Sequence, residues 1–314
     1  MKKTILALRP VLPDEMAELD SHFNVLKLWE EKEPEEFIKA HKNEIQGVLS
    51  TYNSAGVRAA MMDALPNLEI ISQFGVGYDN IDIEAAESRK IAVTNTPDIL
   101  TNDTADVALM LLLNIARRGV EGDVFVRVGR WQKGPLPLGV CLADKTVGIV
   151  GLGKIGSAIA KRCCAFDMNV VYYGRSEKNV SFTYYNDLKS MAHDSDFLVL
   201  ACAGGPETEN IINLDILEAL GPKGFLINIA RGSVVHEEDL LIALQNRAIA
   251  GAGLDVFANE PNVPEEMLKM DQVVLLPHIG SATAETRSKM GKLVIDNFLA
   301  HFEGKPLLTP VYLS

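Results

Sequence analysis

Short apolar runs alternate with amphipathic segments along the first hundred residues. The runs at 5–8, 25–28, 45–49, 70–74 and 91–94 predict strands, and the segments at 34–41, 57–65 and 83–89 predict helices. Strands that alternate with helices are typical of a parallel sheet covered by helices on both faces. The longer apolar-periodic stretch that follows predicts a helix over 103–118, with Thr101 or Asn102 as its N-cap.

A second series of the same kind begins at residue 146. It predicts strands at 146–150, 170–173, 197–200, 225–228, 250–254 and 273–276, and a last helix at about 282–302. The intervening stretch 129–142 contains two prolines and three glycines and predicts an extended arm. The sequence therefore predicts an α/β protein with two doubly wound parallel-sheet lobes. Ligands of such sheets bind beyond the carboxyl ends of the strands.

Composition narrows the classes of partner. A chain of 314 residues is longer than a single hydrophobic core usually supports, so two lobes are expected. Its formal net charge of −12 repels the phosphate backbone of nucleic acids. No apolar stretch is long enough to span a bilayer, and the apolar start of the chain stops at Arg9-Pro10, which indicates a strand and not a signal peptide. We expect a cytoplasmic protein without nucleic-acid or membrane partners.

The four cysteines lack the spacing of a metal site. Cys163 and Cys164 are neighbours, Cys141 and Cys202 lie apart, and no CxxC pair occurs. We expect reduced thiols and no bound metal.

A glycine-rich motif opens the second series. The apolar segment 147–150 leads into Gly151-Leu-Gly-Lys-Ile-Gly156, and a helix-compatible stretch follows at 157–165. In a dinucleotide-binding fold, the three glycines permit the tight turn, the approach of the pyrophosphate and the close packing of the helix. We expect cofactor binding at Gly151, Gly153, Lys154, Ile155 and Gly156. The alternative is a purely structural turn.

The second strand of this series ends in Gly174-Arg175-Ser176. An NAD-binding fold usually carries an acid at this place, about 20 residues beyond the motif, to bind the ribose 2′-hydroxyl. Arg175 and Ser176 suit a 2′-phosphate better, and they predict a preference for NADPH, with NADH as the alternative. The competing interpretation is that Arg175 is a solvated loop residue.

Three further residues follow predicted strands. Arg231, Glu260 and His278 come after the strands at 225–228, 250–254 and 273–276. Taken singly, each of these residues can have an ordinary structural role without any part in catalysis. Together they supply an anion-binding arginine, a carboxylate and an acid/base, which is what the reduction of a keto acid requires.

These motifs resemble those of the D-isomer-specific 2-hydroxy acid dehydrogenases. The resemblance covers essentially the whole chain and rests on four segments, 151–156, 227–232, 251–257 and 277–281. It points to the branch of hydroxypyruvate/glyoxylate and hydroxyphenylpyruvate reductases. It implies a Rossmann cofactor domain, a flavodoxin-like substrate domain, and reduction of a small 2-keto acid to the D-2-hydroxy acid.

The resemblance also implies roles for individual residues. Arg231 would bind the substrate carboxylate and polarise the keto oxygen, His278 would exchange the proton, and Glu260 would orient the imidazole and favour its protonated form. Asp255 would bind the nicotinamide carboxamide, and Thr104 is a further candidate for cofactor binding.

In the other lobe, the loop Phe74-Gly75-Val76-Gly77 would offer N–H groups to the carboxylate, so Val76 and Gly77 are expected to bind substrate. A plain glycine turn is the alternative.

The resemblance further implies a discontinuous substrate-binding domain, residues 1–99 with 286–314, around a dinucleotide-binding domain at 100–285. It implies a homodimer formed through the cofactor lobes. Trp131 in the arm would then reach the partner's cleft, or it packs in an ordinary core.

Two other functions compete with this one. The first is a reductase for bulky substrates such as hydroxyphenylpyruvate or phenylpyruvate, because the pocket volume depends on Asn53, Ser54, Val76 and the arm. The second is a non-catalytic NADPH-sensing scaffold. The presence of Arg231, Glu260 and His278 favours an enzyme.

Overall fold

The computed structural model describes residues 2–52, 54 and 56–312. It divides into two compact units, the first from residues 1–100 with 281–314 and the second from residues 101–280. Asn53, expected to influence the pocket volume, lies outside the described residues. The assignment of substrate and cofactor binding to these units stays a prediction.

The first unit contains a five-stranded parallel sheet. In chain order its strands are β1 (Thr4–Ala7), β2 (Asn24–Lys27), β3 (Ile45–Thr51), β4 (Ile70–Phe74) and β5 (Ala92–Thr94). They lie in the order β2-β1-β3-β4-β5, which is the flavodoxin-like order. Its helices are α1 (Pro13–His22), α2 (Pro34–His41), α3 (Ala59–Ala64), α4 (Ile83–Ser88) and the last helix of the chain, α11 (Ala284–Phe302).

Strands of this sheet are apolar on both faces because helices cover both. Every residue of β1 and β4 is buried. The ring of Phe298 on α11 is fully buried, and it packs where a Cβ on Gly47 of β3 would lie only 3.0 Å from it. Gly47 therefore lets α11 lie close against the sheet.

The second unit contains a seven-stranded parallel sheet. Its strands are β6 (Thr146–Val150), β7 (Asn169–Tyr173), β8 (Thr183–Tyr185), β9 (Phe197–Leu200), β10 (Phe225–Asn228), β11 (Gly251–Leu254) and β12 (Val273–Leu275). Their order, β12-β11-β10-β9-β6-β7-β8, is that of a Rossmann fold with one added strand at the edge beside β11. Its helices are α5 (Thr101–Arg117), α6 (Gly119–Arg127), α7 (Lys154–Ala165), α8 (Leu188–His193), α9 (Leu214–Leu220) and α10 (Glu237–Gln245).

The predicted fold class is confirmed, and several local predictions need correction. Helix α5 begins at Thr101, so Thr101 and Asn102 lie inside its first turn and the predicted N-cap was wrong. The arm begins with a 3₁₀ helix at Arg130–Lys133 and is irregular only beyond it. Helices α1, α6, α8, α9 and α10 and the edge strand β8 were not individually predicted. In α1 only Glu15, Met16 and Leu19 are buried. A helix with so few buried apolar residues shows almost no apolar periodicity in its sequence.

No helix in the described part of the chain combines the length and the apolar character needed to cross a bilayer.

Candidate active site

The carboxyl ends of three adjacent strands of the second unit carry the predicted catalytic residues. Strand β11 pairs in parallel with β10 on one side and with β12 on the other, and Asn228, Leu254 and Leu275 lie opposite one another at their ends. Because parallel strands end at the same edge of a sheet, the loops that follow them meet there.

Glu260 and His278 form a close pair in these loops. Oε2 of Glu260 lies 2.8 Å from Nδ1 of His278, and Oε1 accepts a hydrogen bond of 3.1 Å from the N–H of Phe257. Burial opposes ionisation of Glu260. However, the hydrogen bond and charge of His278, the Phe257 N–H and the charge of Arg231 outweigh it and hold the pKa of Glu260 below its usual range. Glu260 is therefore ionised at neutral pH.

Asp255 supports the loop that carries His278. Its side chain is almost fully buried, and its two oxygens accept the N–H groups of Ile279 at 2.7 Å and Gly280 at 2.8 Å. Burial raises the pKa of Asp255 against the opposing effect of these N–H donors. His278 itself has a left-handed φ of 54°, so its backbone conformation depends on such support.

Thr104, in the first turn of α5, contacts the same loop. Its hydroxyl donates a hydrogen bond of 3.0 Å to the carbonyl of Gly280. The structure thus brings Asp255 and Thr104 together beneath the loop of His278. Their expected binding of the cofactor stays a prediction.

Arg231 lies in a turn organised by Asn228, a residue that the sequence analysis did not single out. The buried amide of Asn228 accepts from the N–H of Ala230 at 3.0 Å and donates to the carbonyl of Arg231 at 2.9 Å. A Cβ on Gly232 would lie 2.0 Å from the carbonyl carbon of Phe257, so only glycine lets this turn approach the loop of Glu260. An asparagine at the very end of a strand is the sequence signal for such a turn.

The glycine-rich motif connects β6 to α7 as expected. Gly151 has a φ of 93°, and a Cβ on Gly156 would lie 2.2 Å from the Gly151 carbonyl oxygen. Gly153 caps α7 and differs from both, because a Cβ there would meet nothing within 4 Å. Lys154 and Ile155 form the first turn of α7. The open space at Gly153, in front of the N-terminus of a 12-residue helix, fits a dinucleotide pyrophosphate.

Arg175 and Ser176 follow β7 and are exposed. The side chain of Arg175 is 93% exposed, and its guanidinium lies 3.9 Å from the carboxylate of Glu207. Nearby, Lys178 donates a hydrogen bond of 2.6 Å from Nζ to the carbonyl of Leu152, inside the glycine-rich motif. The positive charge expected after β7 is therefore accessible to solvent.

The loop of Val76 and Gly77 in the first unit follows β4. Its three carbonyls are all hydrogen-bonded: that of Gly75 to the Thr96 N–H at 3.0 Å, that of Val76 to Nδ2 of Asn95 at 2.8 Å, and that of Gly77 to Nε2 of Gln73 at 3.1 Å. Within the described residues, the N–H groups of Val76 and Gly77 donate no hydrogen bond. The loop therefore offers two N–H donors to a ligand.

Trp131 stands in the 3₁₀ helix of the arm and is 68% exposed. The expectation that it packs in a core of this chain is therefore wrong.

Sequence comparison identifies the family to which this geometry belongs. The model of the family described as "D-isomer specific 2-hydroxyacid dehydrogenase, NAD binding domain" matches residues 109–280. Hydroxyphenylpyruvate reductase of Plectranthus scutellarioides is 48% identical and glyoxylate/hydroxypyruvate reductase A of Arabidopsis thaliana 47% identical. Each comparison extends over 295 residues, which is 94% of both chains. The chain belongs to the D-isomer-specific 2-hydroxyacid dehydrogenases.

A solved structure of this dehydrogenase family has the same fold. The NADPH-dependent glyoxylate/hydroxypyruvate reductase of Sinorhizobium meliloti, in complex with NADP and malonate, is 43% identical and superposes with a TM-score of 0.93. The match covers 99% of this chain and 97% of that one. The dehydrogenase is therefore an oxidoreductase with a nicotinamide-binding domain, as its motifs predicted.

Proposed function

We propose that this dehydrogenase uses NADPH to reduce a small 2-keto acid, glyoxylate or hydroxypyruvate, to the D-2-hydroxy acid. The observation that carries the proposal is the 2.8 Å contact between Glu260 and His278, on loops adjacent to that of Arg231. An acid/base pair beside an anion-binding arginine is the set of groups that this reaction needs.

The pair determines which ring nitrogen of His278 exchanges the proton. Because Glu260 is ionised and accepts from Nδ1, Nδ1 keeps its hydrogen and Nε2 is the atom that gives a proton to the keto oxygen. When bound, NADPH supplies the hydride to the keto carbon. In the opposite direction, Nε2 accepts the hydroxyl proton.

The substrate carboxylate requires local positive charge in a chain whose formal net charge is −12. We assign that role to Arg231, whose planar fork matches a carboxylate and polarises the neighbouring keto oxygen. Val76 and Gly77 are proposed as further substrate-binding residues through their two N–H donors. Val76 and Gly77 lie in the proposed substrate-binding domain, residues 1–99 with 286–314, and Arg231 lies in the proposed dinucleotide-binding domain, residues 100–285.

We propose NADPH as the preferred cofactor because Arg175 and Ser176 stand where an NAD-binding fold usually has an acid. The NADP complex of the Sinorhizobium reductase supports this preference. NADH remains the alternative cofactor. The pyrophosphate is proposed to bind at Gly151, Gly153, Lys154, Ile155 and Gly156, and Thr104 and Asp255 complete the proposed cofactor site.

An arylpyruvate is the second candidate substrate, because a relative with 48% identity is named hydroxyphenylpyruvate reductase. One panel of initial rates decides between them: glyoxylate, hydroxypyruvate, pyruvate, phenylpyruvate and hydroxyphenylpyruvate, each with NADPH and with NADH. The highest kcat/KM should belong to glyoxylate or hydroxypyruvate with NADPH. If an arylpyruvate had the highest kcat/KM, the second candidate substrate would be supported instead. If the protein reduced none of these acids, the alternative function, a non-catalytic NADPH-sensing scaffold, would be supported.

A homodimer is proposed on the exposed apolar side chains of the second unit. They lie on α6, at its C-cap and in the arm, with Val124 47%, Val128 59%, Trp131 68% and Leu138 95% exposed. Light scattering should give twice the chain mass of 34.3 kDa, and Val124→Glu on α6 should shift the mass toward one chain. A wild-type mass of one chain would refute the dimer.

We also propose a cytoplasmic location. All four cysteines are free thiols, as expected of a reducing compartment. Cell fractionation tests this, and recovery outside the cytoplasmic fraction would contradict it.

A further inference from the structure

Three polar side chains connect the end of α11 and the segment behind it to the loop of Val76 and Gly77. Nδ2 of Asn297 donates to Oγ1 of Thr309 at 3.0 Å, and that hydroxyl donates to the backbone carbonyl of Asn95 at 2.7 Å. Nδ2 of Asn95 then donates to the carbonyl of Val76 at 2.8 Å. All of these residues belong to the first unit.

Burial makes this series of contacts specific. Asn297 is fully buried and Asn95 is 9% exposed. The side-chain oxygen of Asn297 accepts the N–H groups of Leu308 at 3.0 Å and Thr309 at 3.3 Å, and the N–H of Asn95 donates to the Thr309 carbonyl at 3.3 Å. Because buried amides are costly to leave unpaired, these bonds determine where Asn95 lies.

Peptide geometry carries the effect into the loop. In a trans peptide the carbonyl of one residue and the N–H of the next point in opposite directions within one plane. Asn95 holds the Val76 carbonyl, so it also orients the N–H of Gly77. In the same way the Thr96 N–H, bonded to the Gly75 carbonyl, orients the N–H of Val76.

We propose that Asn95, Thr309 and Asn297 are positioning residues that aim the Gly77 N–H at the substrate carboxylate. The inference rests on the proposed function, in which Val76 and Gly77 bind that carboxylate. It gives Leu308 and Thr309, far along the chain from the loop, a part in substrate affinity.

A matched pair at Thr309 tests the inference. Thr309→Val keeps the shape and removes the hydroxyl, whereas Thr309→Ser keeps the hydroxyl. Thr309→Val removes both hydrogen bonds of the hydroxyl, but only one proposed donor to the substrate, the Gly77 N–H, loses its orientation. The KM for glyoxylate and the dissociation constant for malonate should therefore rise roughly 3- to 10-fold. The kcat at saturating substrate and the affinity for NADPH should stay unchanged, and Thr309→Ser should resemble the wild type.

Thr94→Val is the control for a merely structural effect. It removes a hydrogen bond of 2.9 Å to Ser72, also buried and in the same unit, without touching the proposed contacts. Its KM should equal that of the wild type. An equal rise in KM for Thr94→Val, or no rise for Thr309→Val, would overturn the inference.

Asn95→Asp serves if Thr309→Val does not fold. It keeps the size of the side chain but offers the Val76 carbonyl no donor, so the KM should rise at least as far. An unchanged KM would again overturn the inference. An active wild type with unmoved variants would refute this inference alone, whereas a wild type that reduces no 2-keto acid would refute the proposed function as well.

Discussion

Oε2 of Glu260 lies 2.8 Å from Nδ1 of His278, and both side chains are only partly accessible, at 25% and 21%. The pair joins the loops that follow β11 and β12. Because the pKa of Glu260 is lowered, the carboxylate stays charged wherever reduction is measured near neutral pH. Its charge then stabilises the imidazolium that reduction consumes.

Replacing Glu260 by glutamine should change the pH profile of reduction. The amide removes the negative charge beside the ring, so the protonated form of the enzyme is lost at lower pH as the pH rises. The alkaline limb of kcat/KM for glyoxylate should therefore shift to lower pH. Initial rates across pH 5 to 10 measure it.

Glu265→Gln is the control, because Glu265 is an exposed acid on the same loop, paired with Lys269. Its profile should match that of the wild type. An alkaline limb that stays in place, or moves upward, in Glu260→Gln would count against the acid/base pair.

Arg231→Lys should separate charge from geometry. Lysine keeps the positive charge but lacks the planar fork, and a charge-assisted hydrogen bond contributes about 1.5–3 kcal/mol. The kcat/KM for glyoxylate should fall roughly 10- to 150-fold with NADPH affinity preserved. Steady-state kinetics and fluorescence titration with NADPH check both parts. Near wild-type turnover would remove Arg231 from the substrate site.

Two glycines of one motif should respond oppositely to alanine. A Cβ on Gly153 meets nothing within 4 Å, so Gly153→Ala should fold with an unchanged Tm. It should lose NADPH affinity, because the methyl group would fill the space proposed for the pyrophosphate. Gly156→Ala places its Cβ 2.2 Å from the Gly151 carbonyl oxygen and should lower the Tm. Thermal unfolding and cofactor titration test the pair. Full NADPH affinity in Gly153→Ala would contradict a pyrophosphate site there.

Cofactor preference should depend on Arg175 and on its acidic neighbour. Arg175→Ala should remove most of the preference for NADPH by raising its KM about tenfold or more, with little change in kcat, because the 2′-phosphate lies far from the hydride. Glu207→Gln should have the opposite effect, since the carboxylate 3.9 Å from the guanidinium competes with the phosphate.

Glu209→Gln is the control for this pair of variants, being an exposed acid two positions beyond Glu207. Its ratio of KM values for NADPH and NADH should not move. If Arg175→Ala leaves that ratio intact, the loop after β7 does not select the cofactor.

Residues that act through their own chemistry could be predicted from the sequence. The glycines of the motif lie between an apolar strand and a helix, and Arg231 and His278 directly follow apolar strands. Period and residue type were therefore sufficient to predict both sheets apart from the edge strand β8, and the residues gathered at the edge of β10, β11 and β12.

Residues that act through neighbours could not be predicted in this way. The resemblance predicted Asp255 as a cofactor-binding residue but not its bonds to Ile279 and Gly280. Those bonds, like the bond from Asn95 to Val76, form because tertiary packing brings distant segments together. Local signals also failed where packing overrides them. Thr101 has the chemistry of an N-cap, but α5 begins there. Strand β8 is three residues long at a sheet edge, too short for an alternating pattern.

The bond from Lys178 to the Leu152 carbonyl links the turn that would receive the pyrophosphate to the segment just beyond Arg175 and Ser176. The bond restrains the two ends of the proposed cofactor surface relative to each other. Ordering two separate loops on binding would cost conformational entropy. Here folding itself orders the two loops, so binding does not carry that cost. For the proposed cofactor site, part of the nucleotide affinity would thus be set by contacts within the folded chain itself.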